Sequence, residues 1–163
     1  MLGRLYPQFS SLLVLLLLGS AVAACYAQAP ASPDVSLRET RQIAAGFTSE
    51  RLQVWQKRLN LTDWNISVVM ERAANLKPKT LGNIHWDLDR KTAIIRVLDP
   101  ADYKMQTKEM LQDIEFTIVH ELIHLNFAPV VSEFQRSEAN RREEEHAVNH
   151  MADALLKLDR EGK

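Results

Sequence analysis

Eight residues in the C-terminal half of the chain decide the fold: Ile118-Val119-His120-Glu121-Leu122-Ile123-His124-Leu125. Apolar residues at positions 118, 122 and 125 recur every three or four residues, which predicts a helix. We expect this helix to run from Thr107 to Phe127 and to end before Pro129. Because residues four apart share a helical face, both imidazoles can point at one ion. The stretch is an HExxH motif and predicts a metal site.

The chemistry of the motif gives each polar side chain a role. His120 and His124 supply the nitrogen ligands that Zn²⁺ favours, and a catalytic zinc keeps one of its four positions for water. Glu121 lies beside the ion, where it can act as general base by taking a proton from that water. The same ligands also accept other divalent ions. The alternative interpretation is a core helix that carries two incidental histidines.

A third protein ligand is needed, and the sequence limits where it lies. The metzincin extension of the motif would place Gly at 127 and His at 130, and Phe127 and Val130 exclude that class. The remaining source is a glutamate from the next helix, which opens with Glu143-Glu144-Glu145. Glu145 lies 21 positions after His124, which suits two helices joined by a loop.

Helical geometry guides the choice among these three glutamates. Glu144 is in line with Val148, at the centre of the apolar face of the helix, and Glu145 lies about 100° further round. Asn149 follows Glu145 by four residues and can support a ligand histidine by hydrogen bonding to its ring. Ala152 leaves room for the helix to approach. We predict Glu145 as the third ligand and Glu144 as the second choice, with at least one of the three a solvated residue of an acidic first turn.

The patterns on either side of the motif predict an α+β domain. Residues 36–60 favour a helix, with Gly46 and Thr48-Ser49 as a candidate break into two helices. Strands are predicted near 64–70, 81–87 and 92–98, the last two joined by a polar turn. A last helix over 140–160 has the apolar stripe Val148, Met151, Leu155 and Leu158. The expected architecture is an N-terminal helix, a small mostly antiparallel sheet and two packed helices.

The first residues have the pattern of a targeting signal. Arg4 precedes the apolar run 12–18, and small residues follow, so residues 1–24 are predicted to be a secretory signal peptide. Val22-Ala23-Ala24-Cys25 resembles a bacterial lipobox and favours lipidation at Cys25, while an ordinary signal-peptidase cleavage near Ala27 stays open. Residues 25–35 form a tether and 36–163 the folded domain. We expect an exported protein, either a periplasmic or cell-surface lipoprotein or a secreted one.

Composition excludes several other classes of protein. The chain has 163 residues, with 20 basic and 21 acidic side chains. This balance argues against binding to nucleic acid, which usually needs a basic stripe. The single cysteine excludes a disulfide within the chain. Membrane contact is expected only through a lipid anchor at Cys25.

The remaining histidines and aromatic residues are weaker candidates. His146 and His150 are also four residues apart, but they project away from the apolar stripe and are expected to face solvent. His85 is expected to pack in a strand, and Tyr103 is a weak candidate for stabilising a transition state. The tryptophans are expected to lie in the core or to line a cleft: Trp55, Trp64 and Trp86.

Several stretches together resemble a family of small, single-domain, gluzincin-like metallopeptidases of bacteria and phages, and among them only HExxH is highly specific. They cover most of the predicted domain: Val54-Trp55-Gln56-Lys57-Arg58-Leu59, Leu61-Thr62-Asp63-Trp64-Asn65-Ile66, Val97-Leu98-Asp99-Pro100, residues 117–125 and residues 144–152.

The resemblance implies a minimal zincin-like fold, in which the last helix donates a glutamate to the zinc ion. It also implies a zinc-dependent hydrolase, most simply a metallopeptidase that acts on peptides or proteins. The alternative is a non-catalytic, zinc-binding exported lipoprotein that serves as a binding module. Because a domain this small has little wall for a deep cleft, a protein partner or an oligomer is also expected.

Overall fold

The computed structural model describes residues 33–78, 80–133 and 137–162 of the chain. The predicted signal peptide and Cys25 lie outside the described residues, as does most of the predicted tether. Three helices and three strands follow in order: α1 (Pro33–Arg58), β1 (Asn65–Glu71), β2 (Gly82–Asp87), β3 (Thr92–Leu98), α2 (Thr107–Val131) and α3 (Glu138–Glu161). The predicted α+β class is confirmed, and α1 begins three residues before the expected start of the domain.

The helix that carries the HExxH motif is the centre of the core. α2 packs against α1 and α3 and also against strands β2 and β3. Among the described helices, α2 alone is long and apolar enough to cross a membrane, but 61% of its most apolar stretch is buried inside the protein, as in the core helix of a globular domain. Its most deeply buried apolar side chains are Met110, Ile114, Ile118, Val119, Leu122 and Leu125.

The sheet is mixed, so the expectation of a mostly antiparallel sheet was wrong. The strand order is β1-β3-β2. β2 and β3 form the expected antiparallel hairpin, with Gly82 opposite Val97. β1 pairs with β3 in parallel, with Asn65 opposite Thr92. Burial explains the strand order: β3 is the most apolar strand, and Ile95 is fully buried, so β3 takes the central position. The short connection between β1 and β2 explains the direction, because it joins these two strands at one end of the sheet, so that β1 runs opposite to β2 and parallel to β3.

Two predicted helix boundaries were also wrong. α1 continues through Gly46, because a buried stripe that includes Ala44, Leu52 and Trp55 packs against the core and offsets the weak helix propensity of one glycine. α2 continues past Pro129 to Val131. Pro129 lacks an N–H and therefore leaves out one hydrogen bond of the helix, but the residues after it can still donate to earlier carbonyls. The amide of Ser132 donates to the carbonyl of Ala128 at 3.0 Å.

The apolar stripe of the last helix lies further round than predicted. Val148 is buried as expected, and Met151 and Leu155 are partly buried against the core, but the other two fully buried apolar residues of α3 are Ala152 and Leu156. Leu158, predicted to belong to the stripe, is 65% exposed. The rotation follows from packing, since small Ala152 allows α3 to approach α2 closely.

A buried charged network joins the three helices. Arg51 of α1 pairs with Glu115 of α2, and its Nη2 lies 2.8 Å from Oδ2 of Asp159 in α3. The indole Nε1–H of Trp55 donates to Glu115 Oε1 at 2.8 Å. Arg58 adds a second contact with Asp159, at 2.6 Å. Each buried carboxylate thus has partners from another helix, which fixes the relative placement of α1, α2 and α3.

Candidate metal centre

The HExxH histidines meet a glutamate where α2 and α3 run side by side in opposite directions. The Nε2 atoms of His120 and His124 are 3.1 Å apart. Oε2 of Glu145 lies 3.3 Å from the first nitrogen and 3.4 Å from the second. The three ligand atoms therefore form a nearly equilateral triangle, and they include the glutamate that the sequence favoured.

The hydrogen bonds of the two Nδ1 atoms determine whether the two Nε2 atoms carry a proton. Nδ1–H of His120 donates to Oδ1 of Asn149 at 3.0 Å. Nδ1–H of His124 donates to Oε1 of Glu144, also at 3.0 Å. Because a neutral imidazole carries one proton, both Nε2 atoms then present lone pairs. Three lone pairs face one another in this cluster, an arrangement that is repulsive until a cation lies among them.

The spacing of the triangle fits a small divalent ion. Zinc binds histidine nitrogen and carboxylate oxygen at about 2.0–2.2 Å, so two ligands of a tetrahedral site are about 3.3–3.5 Å apart. The observed separations are 3.1, 3.3 and 3.4 Å. The group formed by His120, His124 and Glu145 can therefore hold a metal ion. Its nitrogen and oxygen ligands suit zinc and several other divalent transition metals.

The structure gives the three glutamates at the start of α3 different surroundings. Glu145 reaches the two Nε2 atoms, whereas Glu144 contacts the far side of His124. Glu143 is exposed to solvent, as expected for at least one of the three. Sequence reasoning missed the contact of Glu144 with Nδ1, although its line along the face of Val148 indicated that its side chain points inward.

Glu121 lies beside the triangle in a buried position. It is 7% exposed and lines the same cavity as the three candidate ligands. Burial, and secondarily the charge of Glu145, raises the pKa of Glu121 to about 8, with Lys77 acting in the opposite direction. Burial, followed by the proximity of His124, lowers the pKa of His120 and so favours its neutral ring. Neutral imidazole is the form that binds a metal.

A cavity of about 690 Å³ opens above these residues, between β2 and the two helices. β2 lies at the edge of the sheet, and no other strand of the described residues pairs with its outer side. The amide of Leu98 donates to the carbonyl of Leu81, so the backbone groups of Gly82, Ile84 and Trp86 alternate to the outer side. These three residues also line the cavity.

Gly82 allows β2 to lie close to α2. A Cβ atom at this position would be 2.4 Å from Cγ2 of Thr117 and 2.5 Å from the carbonyl oxygen of Arg96. Thr117 is one turn before His120, so the contact sets the distance between the edge strand and the candidate site. The glycine was not singled out from the sequence, where nothing distinguishes it from a turn residue.

The chain matches no known protein-family model, no curated protein and no solved structure.

The weaker sequence candidates lie outside the cluster. The hydroxyl of Tyr103 donates to Asp113 at 2.8 Å, and Asp113 lines a second cavity of about 680 Å³ beside the start of α2. His146 and His150 are exposed, as expected, with ring centroids 4.3 Å apart. His85 is exposed on β2, so its predicted packing role was wrong, because the alternation of the strand turns it to solvent.

The three tryptophans lie where the sequence predicted, in the core or at a cavity, with Trp64 partly buried against the core. Trp55 is 2% exposed in the core, and Trp86 lines the cavity. The cavity also has two cationic side chains that sequence reasoning missed, Lys77 and Arg141. Arg141 is four residues before Glu145 on the same helix, and this spacing is the signal that would have found it.

Proposed function

We propose that this protein is a zinc-dependent hydrolase that cleaves peptide bonds. The observation that carries the proposal is the meeting of three lone pairs, two from Nε2 atoms and one from Oε2 of Glu145, while both Nδ1 protons are engaged elsewhere. His120, His124 and Glu145 would hold the ion. The resemblance to gluzincin-like peptidases agrees with this ligand set.

Glu121 is the proposed general base and later the proton donor. A zinc ion at this site supplies Lewis acidity, which makes a water molecule acidic and polarises a carbonyl group. The positive charge of a bound ion would offset the rise in the pKa of Glu121 that burial causes, so that its carboxylate can take the proton of the attacking water and transfer it to the nitrogen of the departing amine. Its buried position excludes bulk water from this transfer, and its place one residue after His120 keeps it near the reacting atoms.

Asn149 and Glu144 orient the two histidines. Each accepts the Nδ1 proton of one ring, which fixes the tautomer and the direction of Nε2. A negatively charged acceptor also makes the ring a better electron donor. The hydrogen bonds at Nδ1, on the far side of each ring from the ion, thus contribute to metal binding.

The open edge of β2 favours a peptide as the substrate. An extended peptide can add to an exposed strand through main-chain hydrogen bonds. The outward backbone groups of Gly82, Ile84 and Trp86 border the cavity that contains the metal cluster. A chain paired with β2 would therefore have its own peptide bonds near Glu121. Export of the protein, with or without a lipid on Cys25, stays a prediction from the sequence.

The first experiment measures metal content and peptide hydrolysis in the mature protein. We expect about one zinc ion per wild-type chain and its loss in His120→Ala. Glu121→Gln should keep the ion and lower kcat/KM at least 100-fold, because general bases contribute about 10²–10⁴-fold. Hydrolysis would be followed on an unfolded protein and on a mixture of labelled peptides, with mass spectrometry of the products.

His146→Ala is the matched control, since this exposed histidine lies on α3 outside the cluster. It should retain both the ion and the activity. Protein that holds no metal after zinc reconstitution would contradict the proposal. Stoichiometric zinc with no hydrolysis of any substrate would favour the alternative, a zinc-binding module without catalytic activity.

A further inference from the structure

The charges around the cavity are unevenly distributed. Its acidic side chains, Glu121 and Glu145, lie at the metal cluster, and its cationic side chains are Lys77 and Arg141. Neither cation forms an ion pair with another residue in the described ranges 33–78, 80–133 and 137–162. Both are exposed and therefore available to a ligand.

The antiparallel arrangement of α2 and α3 places Arg141 beyond the cluster. His120 contacts Asn149, and His124 contacts Glu144, so positions decrease along α3 as they increase along α2. Arg141 is one turn further in this direction, on the His124 side of the cluster. Phe116 lies on the opposite side of the cluster, with its ring centroid 6.0 Å from that of His120.

The balance of charge indicates what the cavity attracts. A divalent ion and the two cations together carry four positive charges, against three on Glu121, Glu144 and Glu145 when all three are ionised, so the loaded site keeps an excess positive charge on Lys77 and Arg141. A cavity of one sign of charge concentrates ligands of the opposite sign. Guanidinium and ammonium groups bind carboxylates through charge-assisted hydrogen bonds, and arginine does so with two parallel bonds.

We propose that Lys77 and Arg141 bind a carboxylate of the substrate, so that the preferred substrates are peptides with a carboxylate close to the cleaved bond. This inference rests on the proposed function and adds a substrate class to it. The carboxylate comes either from the C-terminus of the peptide or from an aspartate or glutamate side chain. Both sources present the same chemistry to the two cations.

The test uses one peptide sequence in four forms: with both carboxylates, with an amidated C-terminus, with glutamine in place of glutamate, and with both changes. For the wild-type protein we expect kcat/KM to be about tenfold or more higher for a carboxylate form than for the doubly neutral form. The singly neutral peptide that loses this advantage identifies the source of the carboxylate.

Variants then test the two cations. Arg141→Gln should lower kcat/KM for the carboxylate peptide several-fold, mainly through KM, and leave the doubly neutral peptide within about twofold. Because Lys77 also lowers the pKa of Glu121, Lys77→Gln is tested by binding: it should weaken binding of the carboxylate peptide to zinc-loaded Glu121→Gln several-fold. Arg142→Gln is the matched control, because this arginine is adjacent and exposed but does not line the cavity. It should change neither peptide. Equal losses for charged and neutral peptides, or equal effects of Arg141→Gln and Arg142→Gln, would overturn the inference.

A binding measurement separates the failure of this inference from the failure of the proposed function. Calorimetry with zinc-loaded Glu121→Gln and the same four peptides requires no hydrolysis. A preference for carboxylate that disappears with added Arg141→Gln supports the inference even if the wild-type protein cleaves nothing. Equal binding of all four peptides contradicts it, even if the protein proves to be a peptidase.

Discussion

At the scale of single residues, the contact of Glu144 with His124 makes the sharpest prediction. Its carboxylate accepts the Nδ1 proton at 3.0 Å and is mostly buried, with 14% of its side chain exposed. Glu144→Ala should weaken zinc binding about 10–100-fold, as is usual when the partner of a ligand histidine is removed. The affinity would be measured in competition with a chromophoric chelator at pH 7.

Glu143→Ala provides the control, since Glu143 is exposed and lies one position earlier on the same helix. Its zinc affinity should stay within about twofold of the wild type. If Glu144→Ala instead abolished binding as completely as His124→Ala, Glu144 would be a ligand and not the partner of one.

The sequence predicted the members of this cluster better than their contacts. The motif spacing was enough to predict His120 and His124 on one face, because a helix has a fixed period. It left Glu144 and Glu145 as alternatives, since Glu144 lies at the centre of the apolar face and Glu145 at its edge, and the rotation of the helix decides which of them reaches the Nε2 atoms. The packing of α3 on α2 through Ala152 sets that rotation, and this packing is a property of the folded protein.

At the scale of the elements, the approach of β2 to α2 depends on Gly82. Gly82→Ala would bring a Cβ within 2.5 Å of the Arg96 carbonyl oxygen, a backbone atom that can move little. We expect a loss of about 1–3 kcal/mol in the free energy of unfolding, because extra atoms in a packed region strain their neighbours. Urea denaturation followed by circular dichroism measures this loss.

Thr117→Ser tests the geometry of the same contact. It removes Cγ2, the nearest side-chain atom at 2.4 Å, but leaves the clash with the Arg96 carbonyl. The double variant should therefore be less destabilised than the two single changes added together. Simple additivity of the two losses in unfolding free energy would show that β2 does not rest against Thr117.

The elements themselves and the β2–β3 hairpin were largely predictable, and the pairing of β1 was not. Alternation and β-branched residues marked all three strands, and the polar turn after Asp87 predicted the β2–β3 hairpin. No local sequence pattern indicates that β1 pairs with β3, because the two strands are more than twenty residues apart and their pairing depends on which strand is buried most. Gly46 and Pro129 misled in the same way, because packing around each helix outweighs one unfavourable residue.

At the scale of the whole molecule, the cluster links the last two helices of the domain. His120 and His124 belong to α2 and Glu145 to α3, so an ion among them would bind the folded chain far better than the unfolded one. Zinc at about 100 times its dissociation constant should add about 2.7 kcal/mol to the free energy of unfolding. Thermal denaturation with zinc and then with excess chelator measures this change.

His120→Ala should make the melting temperature insensitive to zinc, while His150→Ala, which alters an exposed residue of α3, should leave the response intact. A zinc-dependent rise that survives in His120→Ala would mean that the ion binds elsewhere. The buried network of Arg51, Glu115 and Asp159 lies toward the other end of the α2–α3 pair and should hold the helices together without metal.

The open edge of β2 has a consequence for the choice of target under the proposed function. A chain can pair with this edge only if its own backbone groups are unpaired and its residues extended. Helices and central strands meet neither condition, because they satisfy their hydrogen bonds internally. The enzyme would therefore distinguish targets by their state of folding, attacking tails, loops and misfolded chains and leaving intact domains uncut.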